Sequence, residues 1–168
     1  MIVNVELYLR PVEINYCFVS IRSVEFPLNS VHPSGARFNR PGEFGYYLAS
    51  GLPTALAERY GAPRAAIPSG DALFGTPRLE YDLFDMRQFV TDYPAASGDY
   101  FPTDGDRGYE KCRQLRQLLE ATSCSGVIFP SQKCPGGANV ALWPLGEKPL
   151  PEEFFVQLSA FVTEPFDE

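Results

Sequence analysis

The sequence predicts one α+β domain, with mixed or antiparallel sheets and a few flanking helices. Its 168 residues suit a single core, because domains cluster at roughly 100–150 residues. Apolar and polar residues alternate in several segments, as in strands with one buried face. One later segment repeats apolar residues every three or four positions, as in an amphipathic helix. We therefore expect a single domain over residues 1–168.

The first part of the chain is predicted to hold three strands and one helix. Residues 3–9 alternate strictly, residues 16–22 form an extended run, and residues 46–50 form a short β-type run. Segment 27–35 is rich in Pro, Asn, Ser and Gly, which predicts a long surface loop. Residues 53–60 suit a helix, with proline in its first turn and glycine directly after it.

The middle of the chain is predicted to contain two irregular segments, one strand and one helix. Residues 63–76 are rich in Ala, Pro and Gly and are expected to cross the surface, and residues 93–105 are expected to form a second loop. Between them, residues 79–85 alternate as a strand does. Asp106 suits the N-cap of a helix. Its apolar stripe consists of Tyr109, Cys112, Leu115, Leu118 and Leu119.

The last part of the chain is predicted to supply the centre of the sheet. Residues 126–129 and 139–143 are short apolar runs, typical of two central strands, and a Pro- and Gly-rich loop joins them. Residues 154–162 alternate and favour a strand over a helix. The aromatic residues there fit either the core or an interface between copies.

Charge and hydropathy exclude two classes of partner. The chain carries a net charge of −7, whereas proteins that neutralise nucleic-acid phosphates or anionic lipids need a basic surface. No segment approaches about 18 consecutive apolar residues, and the first residues lack the pattern of a signal peptide. We therefore expect a cytoplasmic protein that binds neither nucleic acid nor membrane.

Composition also excludes several kinds of active site. The four cysteines form no CxxC pair and are expected to be buried thiols, and His32 is the single histidine. This set cannot supply the ligands of a zinc site, and it argues against catalysis by Ser-His-Asp or Cys-His groups. Neither glycine-rich phosphate-binding motif occurs. We expect no metal.

A few residues could carry chemistry, although each also has an ordinary structural interpretation. Arg37 and Arg40 lie in a loop that leads into a strand, and arginine binds phosphate bidentately, but both also fit surface roles. By local sequence alone, Glu58 is equally a solvated helix residue and Ser131 a turn hydroxyl. The pair at residues 136–137 is either a turn or a close approach of backbone to ligand.

Blocks of the sequence resemble a known family in both order and spacing. The blocks are GARFNRPG at 35–42, YLAS at 47–50, TALAE at 54–58, GVIFPS at 126–131 and PGGANVALWP at 135–144. Together they resemble the signature of the RES-domain family, which is named for its Arg, Glu and Ser.

The resemblance implies a fold, an activity and a partner. The fold is like that of the ADP-ribosyltransferase domains of NAD-consuming bacterial toxins, and the implied activity is degradation of NAD+. A helix-turn-helix antitoxin of the Xre class is the implied partner. Beyond NAD+ as substrate, no cofactor is expected.

The resemblance also assigns roles to individual residues. The residues assigned to catalysis are Glu58, Arg37 and Ser131. Those assigned to substrate binding are Arg22, Tyr47, Arg37 and Asn39. Arg22 is the favoured position for the family's first arginine, and Arg10 is the alternative.

These residues suit cleavage of the nicotinamide–ribose bond. Nicotinamide leaves readily because it already carries the positive charge, so the main difficulty is the oxocarbenium-like ribose. A carboxylate such as Glu58 can stabilise that charge. Two arginines can hold the pyrophosphate, Tyr47 can stack on nicotinamide, and Ser131 can orient the substrate.

The acceptor determines the type of reaction. Water makes the protein a glycohydrolase, phosphate a phosphorylase, and a macromolecule an ADP-ribosyltransferase. Arg37 with Arg40 could supply a phosphate site, and we rank phosphorolysis or hydrolysis above transfer because the sequence shows no target-docking segment. The rival hypothesis is a catalytically silent RES-like binding protein.

Overall fold

The computed structural model describes residues 4–15, 18–24, 35–76, 78–102, 109–145 and 156–158. Its strands are β1 Leu9–Ile14, β2 Phe18–Ser23, β3 Tyr46–Ser50, β4 Asp71–Gly75, β5 Leu79–Asp85, β6 Gly126–Pro130, β7 Ala138–Leu142 and β8 Val156–Gln157. Its α-helices are α1 Leu52–Tyr60, α2 Met86–Asp92, α3 Pro94–Tyr100 and α4 Tyr109–Glu120, and a 3₁₀ helix spans Val5–Tyr8.

The described strands form one mixed sheet in the order β1-β5-β6-β7-β3-β2-β4-β8. Only β5 and β6 pair in parallel among them, and the three helices α2 to α4 make the crossover that a parallel pair needs. The predicted α+β class is therefore confirmed. The two apolar runs predicted as central strands are β6 and β7, which pair antiparallel in the middle of the sheet.

Three apolar clusters pack against the sheet. One lies between the sheet and the crossover helices and includes Phe84, Leu115 and Trp143. A second joins side chains of the five neighbouring strands β1, β5, β6, β7 and β3. The third packs Leu56 of α1 against β2, β3 and β4. This third cluster places α1, which carries Glu58, beside strands β2 and β3.

The prediction of a strand at residues 3–9 was wrong for most of its length, because residues Val5–Tyr8 form a 3₁₀ helix before β1 begins. Alternation would bury Leu7, yet its side chain is 68% exposed. The three-residue period instead turns Val5 and Tyr8 toward the helix-side cluster. The Tyr8 hydroxyl donates a 2.8 Å hydrogen bond to Asp92 of α2, which fixes this turn.

Two segments predicted as irregular contain regular structure. Within 63–76, β4 pairs along its whole length with β2 because Leu73 fills the third cluster. Within 93–105, Pro94–Tyr100 is a helix that begins with proline in its first turn and buries Ala96 completely.

Most of the remaining predicted elements agree with the structure. The strands at 16–22, 46–50 and 79–85 correspond to β2, β3 and β5, and the helix at 53–60 corresponds to α1. The helix predicted after Asp106 is observed as α4, with Cys112, Leu115 and Leu119 buried. Leu118 of the predicted stripe is 61% exposed, so that part of the prediction was wrong. Of the C-terminal strand, only β8 falls in the described part of the chain. Residues 27–34 of the predicted loop lie outside the described residues, as do His32, Cys17, Asp106 and the C-terminal aromatic residues.

Candidate active site

A cavity of about 330 Å³ lies between α1, strands β2, β3, β6 and β7, and the loop that carries Arg37. Its charged lining residues are Arg37, Glu58, Arg59 and Lys133. Its polar lining residues are Ser20, Tyr47, Tyr109, Gln132 and Asn139. Arg59 also pairs with Asp71 at 3.3 Å, so the excess of positive charge at this cavity comes from Arg37 and Lys133. In a chain of net charge −7, such an excess suits an anionic ligand.

Glu58 lies in the last turn of α1 and is held by two side-chain donors. Helix α1 ends at Gly61, which adopts φ +83° and donates its N–H to the carbonyl of Ala57. The Oε1 atom of Glu58 accepts hydrogen bonds from Ser131 Oγ at 2.6 Å and from Asn139 Nδ2 at 3.1 Å. Within the described part of the chain, Oε2 accepts none, so this oxygen is available to a ligand.

Ser131 is fixed by the turn between β6 and β7. Its backbone N–H donates to the carbonyl of Gly137, and its Oγ accepts from the N–H of Cys134 at 3.0 Å. A Cβ at Gly137 would collide with the side chain of Thr54 in α1. The absence of a side chain there therefore lets the turn lie directly on α1. Residues 136–137 thus belong to a turn, and the group that their backbone approaches closely is helix α1.

Arg37 lines the same cavity and is held by two hydrogen bonds and two aromatic rings. Its Nη1 donates to the carbonyl of Tyr100 at 2.9 Å, and its Nη2 donates to Gln132 Oε1 at 2.7 Å. Its guanidinium carbon lies 4.8 Å from the centre of the Tyr109 ring and 5.1 Å from that of Phe101. Two of its five N–H groups make these bonds, so others remain for a ligand.

Helix α4 holds the loop that carries Arg37. Arg113 Nε donates to the carbonyl of Ala36 at 3.1 Å. Arg116 is only 5% exposed, and its Nη1 donates to the carbonyls of Phe38 at 3.0 Å and Phe44 at 2.7 Å. Sequence reasoning missed both arginines, because a basic residue on a helix ordinarily belongs to its solvated face.

Tyr47 also braces this loop. Its hydroxyl accepts the N–H of Phe38 at 2.8 Å and donates to Asn39 Oδ1 at 2.7 Å. Burial raises the pKa of Tyr47 well above its ordinary value, so the hydroxyl stays protonated. Tyr47 also lines the cavity. Stacking of its ring on nicotinamide stays a prediction.

The structure places Asn39 in a different role from the predicted substrate contact. It is 0% exposed, and its Nδ2 donates to the carbonyl of Glu43 while its Oδ1 accepts from Tyr47. Full burial with both polar atoms bonded makes Asn39 a support of the loop, and its contact with substrate stays a prediction.

Comparison with known proteins identifies the family. The model of the RES domain matches residues 18–159, which is most of the chain. The chain belongs to the RES-domain family. A search of the curated proteins gave no match.

The RES chain also matches solved structures, four chains of them. One is a chain of the crystal structure of the M. tuberculosis MbcT–MbcA toxin–antitoxin complex, at 15% sequence identity and a TM-score of 0.63. The match covers 95% of this chain and 92% of that one. At this identity the likeness shows a shared fold.

The sheet order discriminates between the two candidates for the first RES arginine. Arg22 lies on β2, which neighbours β3, and its Nε donates to Ser20 Oγ of the cavity wall at 2.9 Å. Arg10 lies on β1 at the sheet edge, five strand positions from β2, and pairs with Asp85 at 3.5 Å. The topology therefore favours Arg22 over Arg10.

Arg40, expected with Arg37 to supply a phosphate site, is not among the residues that line the cavity of this RES domain. Both terminal nitrogens of Arg40 bond to the carboxylate of Glu110, at 2.8 and 2.9 Å. Since this bidentate pair occupies the fork of Arg40, Arg37 lacks the predicted second arginine at position 40.

The cysteines only partly follow the prediction of buried thiols. Cys112 and Cys124 are free and buried, and burial raises the pKa of each to about 11. Cys134, also free, is partly exposed.

Among the described residues, no group of three His, Cys, Asp or Glu side chains could hold a metal ion. No α-helix in the described ranges has the length and apolar character to cross a membrane.

Proposed function

We propose that this RES protein is the toxin of a toxin–antitoxin system and consumes NAD+ by cleaving its nicotinamide–ribose bond, with phosphate or water as acceptor. One observation carries the proposal. Glu58 presents a carboxylate with one oxygen bonded to Ser131 and Asn139, in the same cavity as Arg37. RES membership supports it, as does the fold shared with a chain of a toxin–antitoxin complex.

The bond that breaks joins ribose C1 to the nicotinamide nitrogen. Its electron pair goes to nicotinamide, which becomes neutral, and positive charge develops on the ribose. A carboxylate at about 4 Å from that charge contributes about 4 kcal/mol at an effective dielectric constant of about 20. This amounts to roughly a thousandfold in rate, and Ser131 with Asn139 keeps the carboxylate in place.

The acceptor then completes the reaction at ribose C1. Phosphate adds through one oxygen and gives ADP-ribose 1″-phosphate. Water adds with loss of a proton to the solvent and gives ADP-ribose. Arg37 with Arg22 is proposed to bind the pyrophosphate, which orients the dinucleotide before the bond breaks.

The proposed macromolecular partner is an antitoxin of the Xre class. An enzyme that removes NAD+ from its own cell must be held inactive, and the neighbouring fold comes from a toxin–antitoxin complex. Expression of the protein alone is expected to stop growth with depletion of NAD+, and co-expression of the cognate antitoxin is expected to restore growth.

Product analysis tests the activity. Purified protein, freed of any antitoxin, is incubated with NAD+ with and without phosphate, and products are followed by liquid chromatography and mass spectrometry. Release of nicotinamide with ADP-ribose or its 1″-phosphate supports the proposal and identifies the acceptor. Intact NAD+ with folded protein would contradict it, whereas label from the adenine end on a macromolecule would indicate a transferase.

A further inference from the structure

The guanidinium of Arg37 lies over two aromatic rings that the family motifs do not include. Tyr109 opens α4 and Phe101 follows α3, and the two ring centres lie 4.8 and 5.1 Å from the guanidinium carbon. These distances are within the range of cation–π attraction. The bonds to the Tyr100 carbonyl and to Gln132 fix the guanidinium within its plane.

The two rings differ in how strongly the core holds them. Phe101 is 6% exposed and stacks on Phe129 with an interplanar angle of 12°, so a core contact explains its position. Tyr109 is partly exposed and lines the cavity. Within the described part of the chain its hydroxyl makes no hydrogen bond, so the contact with Arg37 belongs to its ring.

We propose that Tyr109 is a positioning residue, whose ring holds Arg37 in the orientation that binds the anionic part of the substrate. A free arginine side chain must give up rotamer freedom when it binds a ligand. The ring of Tyr109 restricts Arg37 beforehand, which favours binding of the pyrophosphate. This inference rests on the proposed function.

Variants of Tyr109 separate the ring from its hydroxyl. Tyr109→Leu removes the ring and is expected to raise the KM for NAD+ about fivefold. The kcat should change less than twofold, because pyrophosphate binding is shared by the ground state and the transition state. Tyr109→Phe keeps the ring and should match wild type. Tyr93→Leu is the matched control, since Tyr93 packs on Phe89 and should leave KM unchanged.

A double-mutant cycle with Arg37→Met tests whether Tyr109 acts through Arg37. If it does, Tyr109→Leu raises KM less than twofold once Arg37→Met is present, because the group it positions is gone. An equal fivefold rise in both backgrounds would mean direct contact with the substrate and overturn the inference. A change in KM with Tyr109→Phe would also overturn it.

Separate control experiments test whether each variant folds and whether the wild-type protein consumes NAD+. Each variant is checked by thermal unfolding, and Tyr109→Met replaces Tyr109→Leu if the latter does not fold. Absence of NAD+ turnover in wild type would overturn the proposed function and this inference with it. Turnover in wild type with an additive cycle would overturn the inference alone.

Discussion

Replacing Gly137 with alanine tests how the turn that carries Ser131 is seated on α1. A Cβ at this position collides with Thr54 Oγ1, and it lies 3.0 Å from Thr54 Cγ2 and 3.1 Å from the carbonyl oxygen of Cys134. Thr54 is only 3% exposed and cannot swing into solvent. The turn must therefore move away from α1, which also draws Ser131 away from Glu58.

The expected cost follows from two opposing contributions. Overpacking a filled site costs about 1–3 kcal/mol. Replacing glycine also reduces the entropy of the unfolded chain, which stabilises the protein by about 0.4–1 kcal/mol where the backbone conformation suits alanine. The net destabilisation is about 1.5 kcal/mol, and this lowers Tm by about 3–6 °C for a chain of this size.

Thermal and urea unfolding of four variants measure this contribution. Thr54→Ala removes the two side-chain atoms that the new Cβ meets and leaves the 3.1 Å contact with the Cys134 carbonyl oxygen, so Gly137→Ala should cost less than about 0.5 kcal/mol in that background. Gly98→Ala is the matched control, because its Cβ meets nothing within 4 Å and it lies in α3, where alanine should stabilise. An unchanged Tm in Gly137→Ala, or no rescue by Thr54→Ala, would refute the close seating of the turn.

Three further predictions concern buried and charged groups. Arg116→Met leaves two backbone carbonyls without their donor and should destabilise the fold by about 3 kcal/mol in urea; a change below about 0.5 kcal/mol would contradict this. Iodoacetamide at pH 8 should alkylate Cys134 well before Cys112 or Cys124, whose thiols have pKa values raised to about 11 by burial. Peptide mass spectrometry measures the three rates, and equal rates would contradict the prediction. Hydrogen bonds, first from Tyr60 and then from Arg59, hold the pKa of Asp71 below its ordinary value. The carboxylate therefore stabilises the fold above about pH 4 and loses this effect as pH falls through its folded pKa, so the stability difference between wild type and Asp71→Asn should shrink between pH 7 and pH 3, and a constant difference would contradict it.

The periodicity of apolar residues correctly predicted those helices and strands that bury one apolar face and expose the other. In α4 the apolar positions Cys112, Leu115 and Leu119 all pack into one cluster, so the helical spacing in the sequence reports the burial of these three residues, while Leu118 of the same predicted stripe is 61% exposed. Strand β5 was equally readable at residues 79–85. In both, local sequence and tertiary environment agree.

Periodicity and composition did not predict the helices whose formation depends on contacts with distant parts of the chain. The alternation at residues 3–9 fits a strand, but a hydrogen bond from Tyr8 to Asp92, 84 residues away, fixes a 3₁₀ turn. The composition of α3 is that of a loop, although Pro94 in its first turn was a usable signal for a helix start. Helix α2 likewise had a signal in its N-cap Asp85, which accepts from two backbone N–H groups.

For the site, the family resemblance placed residues that periodicity could not connect. Glu58 and Ser131 are separated by 73 positions in the chain and meet at 2.6 Å. Their neighbour Asn139 and the arginine supports Tyr109 and Gln132 were not predicted. Each acts through a contact between distant segments, and no local pattern distinguishes such a residue from an ordinary strand, helix or loop position.

The rate of NAD+ consumption by Glu58→Gln is the most direct test of the proposed role of the carboxylate. Glutamine keeps an oxygen that can accept from Ser131 and Asn139, so the fold and Tm should be retained while the negative charge is lost. The account predicts that kcat falls about a thousandfold, and that Glu80→Gln, an exposed position on β5, stays within twofold of wild type. A folded Glu58→Gln protein with kcat within tenfold of wild type would contradict the account.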